Sequence, residues 1–316
     1  MTGEATVVKN AGSHYMLSML PDWNPFPAVL KGRIRLKSND STNPVAVGDH
    51  VLFETGAETP EEVTLENPAL ITEILDRKNF VVRKSTNLSR QSHVIAANID
   101  MAFAVVSLYF PEIKLPFLDR MLVTCEVYGV PATIVMNKVD LYRNEAPEAV
   151  QNFIDIYTGA GYRVVQASAK TGEGIEELRG ICDGNVCLFS GESGVGKSSL
   201  IKALDTSLDP KIGKISVAHL QGKHTTSLYE MYRLASGGAV IDTPGLRGFG
   251  LVNLEKEEIA RYFPEMLKAA ENCRFTPCTH THEPGCAVKE AVDNGEISPE
   301  RYSSYLGMIE EDKKFR

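Results

Sequence analysis

Residues 191–198 read Gly191, Glu192, Ser193, Gly194, Val195, Gly196, Lys197 and Ser198, a GxxxxGK[ST] spacing set between an apolar strand candidate and a helix candidate. The three glycines can take backbone angles closed to other residues, so successive N–H groups turn inward and cradle a β-phosphate at a helix N-terminus. Lys197 would reach the β- and γ-phosphates, and the Ser198 hydroxyl would ligate Mg2+, with Ser199 next to it on the helix. Downstream, Asp242-Thr243-Pro244-Gly245 follows the apolar run GGAVI. A carboxylate at that strand end is placed to hold Mg2+ through water, and the Gly245 amide can bond the γ-phosphate.

Two further strand ends carry polar loops that could read a base. Asn137-Lys138-Val139-Asp140 closes the strand ATIVMN, and Ser168-Ala169-Lys170 closes YRVVQA. Asp140 can accept two hydrogen bonds from the N1–H and 2-amino edge of guanine. Adenine has no such pair of donors, so ATP would leave a buried carboxylate unsatisfied, a penalty of up to roughly 10⁴-fold. Asn137 would brace this loop against the phosphate loop, Lys138 would lie along the base plane, and the Ala169 amide would meet the guanine O6.

These loops need a sheet to hold them. From about residue 98 apolar strand candidates alternate with amphipathic helix candidates: MAFAVVSL, a helix around 117–129, ATIVMN, a helix around 146–159, YRVVQA, a short helix from 174, NVCLFS, a helix from near Lys197, and a strand pair around 228–234 and 238–242. That rhythm predicts a mostly parallel sheet covered on both faces. Residues 1–95 instead show short alternating segments between Gly, Pro, Asn and Asp clusters, which predicts a small β-barrel. Within it, KGRIRLK puts Lys31, Arg33, Arg35 and Lys37 on one strand face. After residue 255 the pattern turns helical and Cys/His-rich and ends in a polar helix, SPERYSSYLGMIEEDKKF. The predicted fold class is therefore multidomain α/β, with modules at 1–95, 96–254 and 255–316.

The terminal run C-x₄-C-x-H-x₅-C offers Cys273, Cys278, His280 and Cys286, a soft four-ligand set suited to one structural Zn2+. His282 is a rival that spacing does not exclude. Cys125, Cys182 and Cys187 sit among apolar residues and are assigned no chemistry.

In an ordinary GTPase the phosphate loop comes first and the base readers last. Here the readers at 137 and 168 precede the loop at 191, a circular permutation. This order resembles the ribosome small subunit-dependent GTPase A family (RsgA/YjeQ), as do KSTNLSRQSHVIAANID at 84–100, GKHTTS at 222–227 and the terminal Cys/His run. The resemblance covers nearly the whole chain. It implies an OB-like barrel that binds ribosomal RNA, a central permuted P-loop GTPase and a zinc-binding helical module in which His280 is the ligand. It further implies a GTP hydrolase activated by the small ribosomal subunit, acting late in that subunit's assembly beside other assembly factors.

Leu246 stands where a Ras-like enzyme has its water-orienting Gln, so that position cannot polarise water. His224, in GKHTTS between the phosphate loop and Asp242, is the remaining candidate to orient the attacking water, and the resemblance supports it as the catalytic residue. Thr225 is the expected Mg2+ and γ-phosphate ligand, with Thr226 as competitor.

Composition bounds these readings. With 316 residues, 43% hydrophobic and 23% charged, the chain has length for two or three domains. Its 33 basic against 41 acidic side chains give a net charge of −8, which excludes a generic polycation. RNA affinity should then rest on a confined basic face, with Arg33, Arg35, Arg83, Lys84 and Arg90 as candidates, and fall with salt. No stretch reaches the roughly 18 apolar residues of a membrane span, and the first residues lack a secretory signal pattern, so a cytoplasmic location is expected; a monomer is expected separately, and the sequence leaves the oligomeric state open. The alternative reading is a nucleotide-dependent RNA-binding scaffold with little turnover.

Overall fold

The structure, a computed structural model, describes residues 1–32, 44–84, 92–208, 229–243 and 254–313. Five strands open the chain: β1 (Thr2–Ala11), β2 (His14–Ser18), β3 (Phe26–Leu30), β4 (His50–Glu54) and β5 (Ala69–Ile74). They close into a barrel in the order β1-β2-β3-β5-β4, with β4 returning to β1 and β3–β5 as the one parallel pair among them. This is the expected OB-like arrangement. Alternation along the strands turns Val7, Leu17, Phe26, Val51, Phe53 and Ile71 into one apolar interior. The strand expected to run through KGRIRLK ends earlier, at Leu30, and Lys31 pairs with Glu54 at 2.6 Å. Arg33, Arg35 and Lys37 lie outside the described residues.

A hairpin of β6 (Phe80–Lys84) and β7 (Ser92–Ala97) follows, carrying Arg83 and Lys84; Arg90 lies outside the described residues. The expected boundary after residue 95 falls inside β7.

The next elements follow the predicted rhythm closely: β8 (Met101–Val106), α1 (Leu115–Val127), β9 (Ala132–Met136), α2 (Pro147–Gly159), β10 (Arg163–Gln166), α3 (Ile175–Cys182), β11 (Val186–Ser190), α4 (Lys197–Leu204), β12 (Tyr229–Arg233) and β13 (Ala239–Asp242). Strands β10-β9-β8-β11-β13 are parallel neighbours in that order, so their carboxyl ends share one edge. Strand β12 runs antiparallel to β13 and also pairs with β1 through Lys9 and Asn10, so barrel and central domain share one 11-stranded sheet. The Lys9 ammonium meets the Glu230 carboxylate at that seam, 2.9 Å away.

The chain ends in α5 (Lys256–Ile259), α6 (Pro264–Ala270), α7 (Ala287–Asp293) and α8 (Pro299–Lys313). These helices pack Phe263, Met266, Val288 and Tyr305 against Val123 of α1. Helix α1 is consequently buried on two sides, with Leu118, Met121 and Leu122 in the core of the parallel sheet. Each such side chain contributes about 1.5–3 kcal/mol on burial. Among the described residues, no helix is long and apolar enough to cross a membrane.

Candidate functional site

Four of the loops expected to carry chemistry leave the same edge of the sheet, where open α/β folds bind ligands. Register places Phe189 of β11 beside Asp242 of β13, Val106 of β8 beside Met136 of β9, and Met136 beside Gln166 of β10. The phosphate loop, Asn137–Asp140 and Ser168–Lys170 therefore begin within neighbouring strands.

The phosphate loop needs its glycines. Gly191 has φ 153° and a Cβ there would stand 2.1 Å from the Val105 carbonyl oxygen; Gly196 has φ 97° and a Cβ would stand 2.4 Å from Asn137 Nδ2. Both positions exclude a side chain. Gly194 also has positive φ, Val195 is buried, and Ser193 and Ser199 are exposed. Lys197 is buried and its Nζ donates to the carbonyls of Gly191 at 2.8 Å and Glu192 at 2.9 Å. Its ammonium thus lies inside the loop, where an incoming phosphate oxygen can replace a carbonyl. Ser198 follows in the first turn of α4.

Asp242 is buried, and its Oδ1 has no hydrogen-bond partner among the described residues. Burial raises its carboxyl above the ordinary range, opposed by the Lys197 charge; burial lowers Lys197, opposed by Asp242 and Glu192. A buried carboxylate oxygen without a donor fits a water-bridged divalent cation. Next to it, Thr243 Oγ1 donates to the Phe189 carbonyl at 2.8 Å and ties the end of β13 to β11.

The base-reading loops are stitched to the phosphate loop through one side chain. Asn137, 1% exposed, donates from Nδ2 to the Val195 carbonyl at 2.8 Å and accepts at Oδ1 from the Ala169 amide at 3.3 Å. Lys138 adopts left-handed φ 65° and its Nζ donates to the carbonyls of Gly194 and Phe110, each at 2.6 Å. Its stem is thereby laid across the site. The carboxylate of Asp140 is oriented by the buried Ser168 hydroxyl, which donates to Oδ1 at 2.6 Å. Asp140 itself is exposed at the mouth of this loop. Lys170 is exposed as well.

Sequence reasoning missed two supports. Tyr142 donates to the Asn137 carbonyl at 2.6 Å from a buried position, and burial pushes its phenol up to about 12. Lys114, just before α1, pairs with Glu192 of the phosphate loop at 3.0 Å. Neither belongs to a motif, and each pairing spans loops that only folding brings together. His224, Thr225, Thr226, Pro244, Gly245 and Leu246 lie outside the described residues.

The Cys/His run forms a separate centre. One ligand atom from each of Cys273, Cys278, His280 and Cys286 lies within 4.8 Å of all the others. Cys273 and Cys286 sulfurs are 4.0 Å apart, and His280 Nδ1 is 3.3 Å from Cys286 and 3.7 Å from Cys273. Tetrahedral coordination at about 2.3 Å requires sulfurs about 3.8 Å apart, so the donor set and its spacing fit a metal ion. His280 is buried with φ 55°, and Tyr302 of α8 donates to its carbonyl at 2.6 Å. His282 is exposed and bonds Thr281 instead, which answers the ambiguity left by spacing. Glu283 accepts from the amides of Thr279, Thr281 and His282, fixing the loop.

A model of the RsgA GTPase family matches residues 74–252. The small ribosomal subunit biogenesis GTPase RsgA of Bacteroides fragilis is 46% identical over 98% of this chain and 98% of its own. The protein of the same name from Porphyromonas gingivalis is 42% identical over 99% and 98%. Among solved structures, YjeQ from Thermotoga maritima superposes with a TM-score of 0.77 at 32% identity, covering 98% of each chain. YloQ, described as a circularly permuted GTPase, superposes with a TM-score of 0.72 at 26% identity, covering 100% of this chain and 96% of its own. Reversed loop order, shared sheet edge and matches of this extent agree: the chain belongs to the RsgA GTPase family.

Proposed function

We propose that this chain hydrolyses GTP to GDP and phosphate as a maturation factor of the small ribosomal subunit, with turnover raised by that subunit. The observation that carries the nucleotide reading is the Asn137 side chain, which bonds the phosphate loop and the Ser168–Lys170 loop at once. One such brace sets the distance between a phosphate cradle and a base reader. The relatives' names, small ribosomal subunit biogenesis GTPase, support the partner.

In this reading Asp140 accepts from the guanine N1–H and 2-amino group while Ser168 holds the carboxylate in place. The Ala169 amide meets O6, and the Lys138 stem covers one face of the base. The amides of residues 191–196 and the Lys197 ammonium hold the β- and γ-phosphates. Magnesium, when bound, neutralises phosphate charge; Ser198, Thr225 and, through water, Asp242 would hold it. Gly245 would bond the γ-phosphate, and His224 would orient the attacking water as the catalytic residue, since Leu246 cannot.

The modules at 1–95, 96–254 and 255–316 divide the work: the barrel and the C-terminal module contact ribosomal RNA, and the centre carries the chemistry. Zn2+ at Cys273, Cys278, His280 and Cys286 is structural, because four protein ligands leave no open position. The setting is the cytoplasm, with the chain acting as a monomer beside other assembly factors. Phosphate release from GTP, measured with and without small subunits, tests the proposal: acceleration supports it, and binding without turnover in both conditions favours the scaffold alternative.

A further inference from the structure

The buried ion cluster between the C-terminal helices and α1 is not used by the nucleotide chemistry above. Arg301 of α8 is 1% exposed and Asp119 of α1 is fully buried. Arg301 Nη1 donates to Asp119 Oδ1 at 2.7 Å, and its Nε and Nη2 donate to the two oxygens of Glu265 on α6 at 2.8 and 3.1 Å. Tyr157 of α2 donates to the same Asp119 oxygen at 2.9 Å. The Phe263 ring lies under the guanidinium, 4.5 Å from its centroid. One buried side chain therefore joins the C-terminal module to α1, at the carboxylate that also accepts from Tyr157 of α2.

Other residues of α1 lie against the phosphate loop. Phe117, Leu118 and Met121 line a small cavity together with Gly191, Glu192 and Val195 of the phosphate loop. The loop leading into α1 carries Lys114, which pairs with Glu192, and Phe110, whose carbonyl accepts from Lys138. Helix α1 is thus a rod clamped by Arg301 through Asp119 while its neighbouring residues back both nucleotide-gripping loops. Packed cores transmit such displacements because they are dense.

We infer that Arg301 is a positioning residue for the nucleotide site: through Asp119 it fixes α1, and through α1 it fixes the phosphate loop and Lys138. The inference rests on the reading of residues 191–198 as a GTP site. It makes docking of the C-terminal module a determinant of GTP affinity, so a partner that shifts that module changes nucleotide binding, and nucleotide binding changes the partner's affinity by the same factor.

The test uses the full chain with Arg301→Met, Asp119→Asn and the milder Tyr157→Phe, which removes a single hydrogen bond to Asp119. Ile297→Ala is the control: Ile297 is buried in the same helical module and is absent from both the ion cluster and the phosphate-loop cavity. Amide hydrogen exchange of residues 191–204 and the GTP Kd and basal kcat are measured for each. Arg301→Met is expected to speed exchange in 191–204 and raise Kd about 5- to 50-fold, within the usual range of intersite coupling, while kcat stays within about twofold. Arg301→Lys should recover only part of the loss, because one ammonium cannot replace the guanidinium fork. Ile297→Ala should lower the melting temperature and leave exchange at 191–204 and Kd unchanged. Equal effects of Ile297→Ala and the cluster variants on the phosphate loop, or none from either, overturn the inference. If Arg301→Met and Asp119→Asn do not fold, Tyr157→Phe decides by the same two readouts. A wild-type chain that binds no GTP refutes the nucleotide reading, while exchange at 191–204 still judges the clamp.

Discussion

Replacing Asn137 with Ala should weaken GTP binding out of proportion to its size. The side chain never touches the nucleotide in the proposed arrangement; it holds the loops that do. Ala removes the donor to the Val195 carbonyl at 2.8 Å and the acceptor for the Ala169 amide at 3.3 Å. A buried carbonyl left without its donor costs about 1–3 kcal/mol, and the longer second bond adds about 0.5 kcal/mol. With about 1.5–3.5 kcal/mol lost from the binding-competent arrangement, Kd for a non-hydrolysable GTP analogue should rise about 12- to 320-fold, at about 1.4 kcal/mol per factor of ten. Asn137→Asp is the sharper probe, because it keeps the acceptor for Ala169 but sets a carboxylate oxygen against the Val195 carbonyl. It should bind no better than Ala. Titration calorimetry on both variants, after circular dichroism shows a folded chain, gives the answer. Binding within threefold of wild type for Ala, or full binding for Asp, would refute the brace.

Gly196→Ala should abolish detectable GTP binding while the chain stays folded, since the new methyl would strike Asn137 Nδ2 at 2.4 Å in a left-handed conformation; equilibrium dialysis checks it. Asp140→Ala should cut the preference for GTP over ATP by at least about tenfold, read from the two Kd values in competition. Removing metal with a strong chelator should release one zinc per chain and expose the thiols of Cys273, Cys278 and Cys286 to a thiol reagent, because binding and local folding are coupled there; unreactive thiols after chelation would contradict the metal centre. His224→Ala should bind GTP as wild type does and lose most of the turnover, measured as phosphate release.

Much of this was legible in the sequence because the signals are local. A phosphate loop needs its glycines at fixed spacing, and parallel strands buried on both faces read as apolar runs, so β8, β9, β11 and β13 were placed within a residue or two. Permutation was visible in the order of residues 137, 168 and 191 alone. Pairings across long separations were not. Strand β12 gives no sign that it pairs with β1, where Asn10 meets Tyr229 across 219 residues of chain, since an edge strand's partner is set by which edge folding leaves open. Nothing in the two helix candidates marks Asp119 and Arg301 as partners, yet both are buried, because a charge can leave water once its counter-charge arrives from another module. KGRIRLK kept period two past the point where β3 stops at Leu30. His280 and His282 differ by nothing that spacing can weigh; the left-handed backbone at His280 and the Tyr302 hydrogen bond separate them.

A GTP-specific hydrolase driven by its ribosomal partner has a simple kinetic signature. It is read from phosphate release with GTP and with ATP, each with and without purified small ribosomal subunits. Release from GTP alone should be slow, should accelerate strongly on adding small subunits, and should have no counterpart with ATP in either condition. Equal rates with GTP and ATP, or no effect of the subunits on GTP turnover, would contradict it.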